Sequence, residues 1–159
     1  MHYPDLRSQI KSGDVLAWTH RSWDSIKDIQ CQIVRMATQS EYSHVGVAWV
    51  VAERVFVLEA VTAGVRIFPL SRSAPFYWVP RGIWSDEAER RAMAHVGAEY
   101  SKWEAIKAFF GGSSYDNDAW ECAEYVCWVL GLPVVAKTPA KVVQHLQDVE
   151  GLELRTVAP

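Results

Sequence analysis

Between residues 45 and 70 the sequence repeats one pattern three times: a run of β-branched and aromatic residues followed by a short polar break. Val45 to Val51, Val55 to Ala60 and Val65 to Leu70 each have the length of one strand, and the breaks at residues 52–54 and at Thr62-Ala63-Gly64 leave room only for tight returns. Parallel neighbours need a crossover of a dozen residues or more, so these runs predict a three-stranded antiparallel meander. Upstream, Asp14 to His20 reads as a further strand, entered through the turn dipeptide Ser12-Gly13. Downstream, Phe76 to Pro80 reads as a short strand, and the flanking prolines predict that it lies at an edge.

Elsewhere the hydrophobic period is 3.6 rather than two. Ser25 to Ala37 places Ile26, Ile29, Ile33 and Met36 on one helical face, and the polar loop Thr38 to Ser43 then delivers the chain to His44. Ser85 can cap a helix with the stripe Ala88, Ala92, Met93 and Val96. Ser101 with Glu104 makes a capping box before Trp103, Ile106 and Phe110, and Gly111-Gly112 stops that helix. Asp118 with Glu121 makes a second box, opening a helix that carries Cys122, Val126, Val129 and Leu130 as far as Gly131-Leu132-Pro133. Thr138-Pro139 opens the last helix, and Leu152 to Val157 supplies a final strand. With no repeat, linker or low-complexity segment, residues 1–159 read as one α+β domain in which an antiparallel meander or barrel packs against several helices.

Composition narrows the function classes. Lys and Arg number 16 against 19 Asp and Glu, with no basic run to follow a phosphate backbone, which argues against nucleic acid as a partner. The most apolar stretch, Val45 to Val61, is interrupted by Glu53 and Arg54 and is shorter than the roughly 20 residues of a membrane span. The first 14 residues have no apolar signal-peptide core, so the cytoplasm is the default compartment, with phage association or another export route as the alternative. Three cysteines without a CxxC pair argue against a disulfide framework or a zinc cage, and no metal or other cofactor is implied. Eight Trp is a surplus, explained either by large rings filling a small core or by a binding surface.

Three residues stand out chemically. Cys122 is expected in the first turn of its helix, where unpaired N–H groups and the positive end of the dipole favour an anion, although a cysteine in a helix is ordinarily a small core residue. His44 begins a strand whose same-face residues are Gly46, Ala48 and Val50, small enough beside it to let a helix approach. Glu59 is a carboxylate inside the apolar run VFVLEAV and needs a partner, either His44 or a plain salt bridge to Arg66 or Arg54. An even-numbered hairpin loop puts Glu59 on the face of His44. A turn centred on Val51 and Ala52 sets the two opposite each other, and one at Glu53 and Arg54 separates them by four positions. Cys127 is turned about 140° from Cys122 on the same helix, so both cannot face His44, and Cys127 and Cys31 read as buried and inert. His20 can border a cleft, whereas His2, His95 and His145 read as solvated.

Taken in order, SGDVLAWTH, YSHVGVAWV, VFVLEAV with GVRIFPL, WECAEYVCWVLG and TPAKVVQHL resemble the circularly permuted branch of the NlpC/p60-type papain-like cysteine hydrolases, close to the YiiX-like proteins. The resemblance covers nearly the whole chain. It implies a papain-like fold with the nucleophile at a helix N-terminus: Cys122 as nucleophile, His44 as base and Glu59 as the residue that orients it. Where such sequences often have Cys-Ser-Glu, this one has Cys122-Ala123-Glu124, which removes a hydroxyl near the site. The implied activity is hydrolysis of an amide, such as a peptide, isopeptide or cell-wall peptide, or of an ester, through an acyl-enzyme. The related lecithin:retinol acyltransferase group adds acyl transfer on lipid or thioester as an alternative. For the oxyanion, the Cys122 backbone N–H is one candidate donor, and the Tyr42 hydroxyl is another if the strand already begins there. The rival classes are a non-catalytic module binding a peptide, glycan or lipid, and a structural part of a larger assembly such as a phage particle.

Overall fold

The meander forms where the runs predict it and becomes half of a wider sheet. This computed structural model describes residues 1–19, 42–61, 64–97, 118–133 and 138–159, with backbone alone at 118–121. Strands β1 (Val15–Trp18), β2 (His44–Val51), β3 (Arg54–Val61), β4 (Gly64–Pro69), β5 (Phe76–Val79) and β6 (Arg155–Val157) pair in the order β4-β3-β2-β1-β5-β6. Every strand pairing is antiparallel, and among the described residues the sheet is open, with β4 and β6 at its edges. The predicted helices at Ser25 to Ala37 and Ser101 to Phe110 lie outside the described residues, as do His20 and Cys31.

Strand β5 is a correction to the sequence reading. It lies inside the sheet, hydrogen-bonded to β1 on one side and β6 on the other, and β6 takes the edge. The flanking prolines stand outside Phe76–Val79, so all four strand residues keep their N–H groups and can serve two neighbours. The start of β1 is tied to β5 through Asp14, which is buried yet accepts from the Lys11 and Gly82 amides and from Trp78 Nε1 at 2.7–2.9 Å. Gly13 makes this turn possible at φ +87, since a Cβ there would lie 2.1 Å from the Ile83 carbonyl oxygen.

Helices α1 (Tyr3–Leu6), α2 (Asp86–Ala94), α3 (Asp118–Leu130) and α4 (Pro139–Asp148), with a 3-10 turn at Leu70–Arg72, complete the described elements. Ser85 caps α2 by accepting from the Ala88 amide, and Thr138 caps α4 by accepting from Lys141, as the sequence predicts. Helix α3 ends in a Schellman turn: Gly131 at φ +65 lets the Leu132 amide reach the Cys127 carbonyl and its own amide reach Trp128. The sheet divides two cores. On one face Val15, Ala17, Val45, Val47, Leu58 and Ala60 pack with Ala92 of α2, Cys122 and Val126 of α3, and Val142 and Leu146 of α4. On the other, Leu16, Trp18, Val57, Phe76 and Trp78 are covered by Tyr3, Leu6 and Ile10. Each fully buried Leu or Val contributes roughly 1.5–3 kcal/mol. The described tryptophans favour the core account of the surplus: Trp18 and Trp78 are buried, and Trp49, Trp84 and Trp128 pack against the helix-side core.

Candidate active site

The site begins with a register. Val51 pairs with Arg54 and Val47 with Leu58, so the β2–β3 loop is Ala52-Glu53, centred between the two turns weighed from the sequence. Both residues have positive φ, +46 and +60, the pattern of a type I′ turn. Extending the ladder brings Gly46 opposite Glu59 and leaves His44 two positions further along, a diagonal neighbour on the same face. Gly46 supplies the missing space. A Cβ there would lie 2.5 Å from Val57 Cγ2 and 3.4 Å from Glu59 Cβ. The Glu59 carboxylate therefore leans across the bare glycine, and His44 Nε2 donates to its Oε2 at 2.6 Å.

Neighbouring strands extend this contact into a polar row. Arg66 is the direct partner of Glu59 on β4, and its Nε and Nη2 reach Oε1 at 2.8 and 2.7 Å. Trp18 is the direct partner of His44 on β1, with ring centroids 5.4 Å apart. Both readings of Glu59 are thus realised in one carboxylate, which bonds the histidine through one oxygen and the arginine through the other. Arg54, the other salt-bridge candidate, stands at the far end of β3.

Cys122 completes the cluster from the other side of the sheet. Its helix packs on the face opposite the polar row, but His44 is the first residue of β2, at the sheet margin, where one ring can address both faces. Nε2 is committed to Glu59, and Cys122 acts on the same ring through a charge contact and a hydrogen bond. Burial alone would push the ring pKa down. The charge and hydrogen bond of Cys122, joined by those of Glu59, outweigh it and raise His44 from 6.5 to about 10. Burial would likewise raise Glu59, but its hydrogen bonds and charge contacts with His44 and then Arg66 hold it below the usual carboxylate range. Cys127 is buried, and burial, with the charges of Glu124 and Cys122, pushes its thiol up to about 12.

The structure describes the surroundings of both oxyanion candidates. Strand β2 starts at His44, so Tyr42 precedes the ladder; it is buried, with its ring edge-on to Tyr77 at 5.2 Å between centroids. The described part of helix α3 begins at Asp118, four residues before Cys122, and the i→i−4 pattern there pairs the Cys122 amide with the Asp118 carbonyl. Sequence reasoning also missed Trp18 as the neighbour of His44. Its signal, a tryptophan near the end of a strand, acquires meaning only once the β1–β2 register is known.

No protein-family model matches the chain, and no curated protein matches it. Among solved structures, the chain is similar to the metalloprotein yiiX from Escherichia coli O157:H7, DUF1105, with a TM-score of 0.53 and 23% sequence identity over 81% of this chain and 69% of that one. At this identity the likeness establishes a shared fold.

Proposed function

We propose that this protein is a thiol hydrolase with a permuted papain-like fold, working through Cys122, His44 and Glu59. The observation that carries the reading is one imidazole held between a cysteine sulfur and a buried carboxylate, with its pKa raised by both. In this mechanism the Cys122 thiolate attacks an amide or ester carbonyl and forms a C–S bond. The His44 imidazolium gives its Nδ1 proton to the leaving amine or alcohol as that bond breaks. Water then attacks the thioester, His44 takes its proton, and the acid leaves with the thiolate restored. Glu59 holds the ring with Nε2–H toward itself and stabilises the imidazolium, and Arg66 fixes the carboxylate. An acceptor other than water turns the same sequence into acyl transfer. Cell-wall peptides, isopeptides and lipid esters all contain a carbonyl group open to this attack.

The yiiX structure is described as a metalloprotein, so a metal is the other chemistry to weigh. Among the described residues no three His, Cys, Asp or Glu side chains are arranged to hold an ion. The donors of this site point at one another, and the Arg66 guanidinium on Oε1 opposes a second cation at Glu59. The described residues of this site do not fit a resident metal, and the mechanism uses none. Among the described residues no helix is long and apolar enough to cross a membrane.

The test is intact-mass spectrometry after incubation with activated acyl esters and peptidoglycan fragments. A single acyl adduct on Cys122, lost in Cys122→Ala and turned over by water or an added amine, is the expected result. An unmodified Cys122 with every probe, together with iodoacetamide labelling at mildly acidic pH no faster than that of Cys31 and Cys127, would overturn the proposal.

A further inference from the structure

At the other end of the β2–β3 hairpin, roughly 23 Å from His44 at 3.3 Å per strand residue, a cavity of about 180 Å³ opens between the N-terminal segment and the sheet. Arg7 and Arg54 line it together with Tyr3 and Ser71, and Val55, Phe56 and Pro69 supply the apolar part of the lining. Tyr3 is anchored in the core, where burial raises its phenol pKa against the opposing charge of Arg7, so that guanidinium is near the ring. Among the described residues neither Arg7 nor Arg54 pairs with a carboxylate; Arg72 does not either but lies over the Phe68 ring, whereas Arg66, Arg81, Arg90, Arg91 and Arg155 each pair with one. Two unpaired arginines brought to one cavity repel each other and are stabilised by an anion that both can reach.

We propose that this cavity is a binding site for a small phosphate monoester, separate from the thiol site. The two guanidinium groups match the two charges of a phosphate monoester dianion, and the Tyr3 and Ser71 hydroxyls can donate to further oxygens. The Phe56 and Pro69 walls receive the ester substituent. The volume is below the roughly 300–1,000 Å³ of drug-sized sites, which selects a compact ester. The same headgroup chemistry is found in a soluble metabolite and in an anionic lipid, and experiment separates these sources.

Calorimetric titration of the full chain with phenyl phosphate is expected to give a Kd on the order of 1 mM or tighter, with inorganic phosphate weaker. Arg7→Gln and Arg54→Gln are each expected to weaken binding by about 10-fold. Both side chains are exposed, so neither substitution should disturb folding. Arg90→Gln on α2 and Cys122→Ala are expected to leave binding unchanged, which keeps this result independent of the proposed hydrolase. Ser71→Glu, which puts a carboxylate beside the arginines, is expected to abolish binding. Sedimentation with phosphatidylcholine vesicles, with and without phosphatidic acid, assigns the source. Capture only by phosphatidic acid, still lost in Arg7→Gln, supports the site with a lipid headgroup as its ligand. Binding that Arg7→Gln and Arg54→Gln leave intact, that Arg90→Gln reduces equally, or that is the same for inorganic phosphate would overturn the proposal, as would no binding to either probe.

Discussion

The two ends of the β2–β3 hairpin handle charge in opposite ways. At the His44 end, Glu59 is buried and each of its oxygens bonds a cationic or ionisable partner, so the polar groups are satisfied by one another. At the Arg54 end, two exposed arginines share a cavity without a carboxylate. A closed set of hydrogen bonds in low dielectric tunes its own members, which suits the nucleophile proposed here. An open set of like charges is completed from outside and suits a ligand. The difference teaches that a cluster's function is read from what its polar groups still lack.

The sharpest way to break this contrast is at the closed end. Cys122→Ala should remove acyl adduct formation altogether, and His44→Ala should slow acylation by about 10²–10⁴-fold while the protein stays folded, as measured by burst kinetics with an activated ester. Glu59→Gln should cost on the order of 10²-fold, because the ring loses its orienting charge while Cys122 and His44 remain. Arg66→Gln should cost less, since the guanidinium acts only through Glu59.

A change in pH probes the same end without removing a side chain. His44 is raised from 6.5 to about 10 in the folded state, so its contribution to stability is complete below about pH 6.5 and is lost as pH rises through about 10. Turnover should fall over that alkaline range as the imidazolium loses its proton, while alkylation of the sulfur persists. In Cys122→Ala the ring loses the largest causes of its elevation, and its titration, followed by nitrogen NMR, should move to lower pH.

The smallest expected effect belongs to the open end. Ala52 and Glu53 occupy left-handed conformations that favour Asn and Gly, so Ala52→Asn with Glu53→Gly should raise stability by about 0.5–1 kcal/mol in urea unfolding. Cys122 labelling should be unchanged. A change in labelling would show that the two ends are mechanically coupled and that the comparison is too simple.

Much of this was legible from spacing. The meander, the Ser85 and Thr138 caps, the Gly131 stop and the common face of His44 and Glu59 follow from local rules that operate over a few residues. The interior place of β5 was not legible, because prolines just outside a strand leave its ladder intact and reveal nothing about its neighbours. The helix-side burial of Cys127 needed only the 100° period.

By itself the sequence determined which segments alternate, where they turn and which residue types were available for chemistry, because those properties depend on neighbours along the chain. Tertiary structure decided the rest. Whether Glu59 reaches His44 depends on where the hairpin closes and on a glycine opposite, and whether His44 reaches Cys122 depends on a helix docking across the sheet margin. Shifting the register by one residue turns each side chain to the other face, so this contact is a property of packing over long separations, which no local pattern encodes.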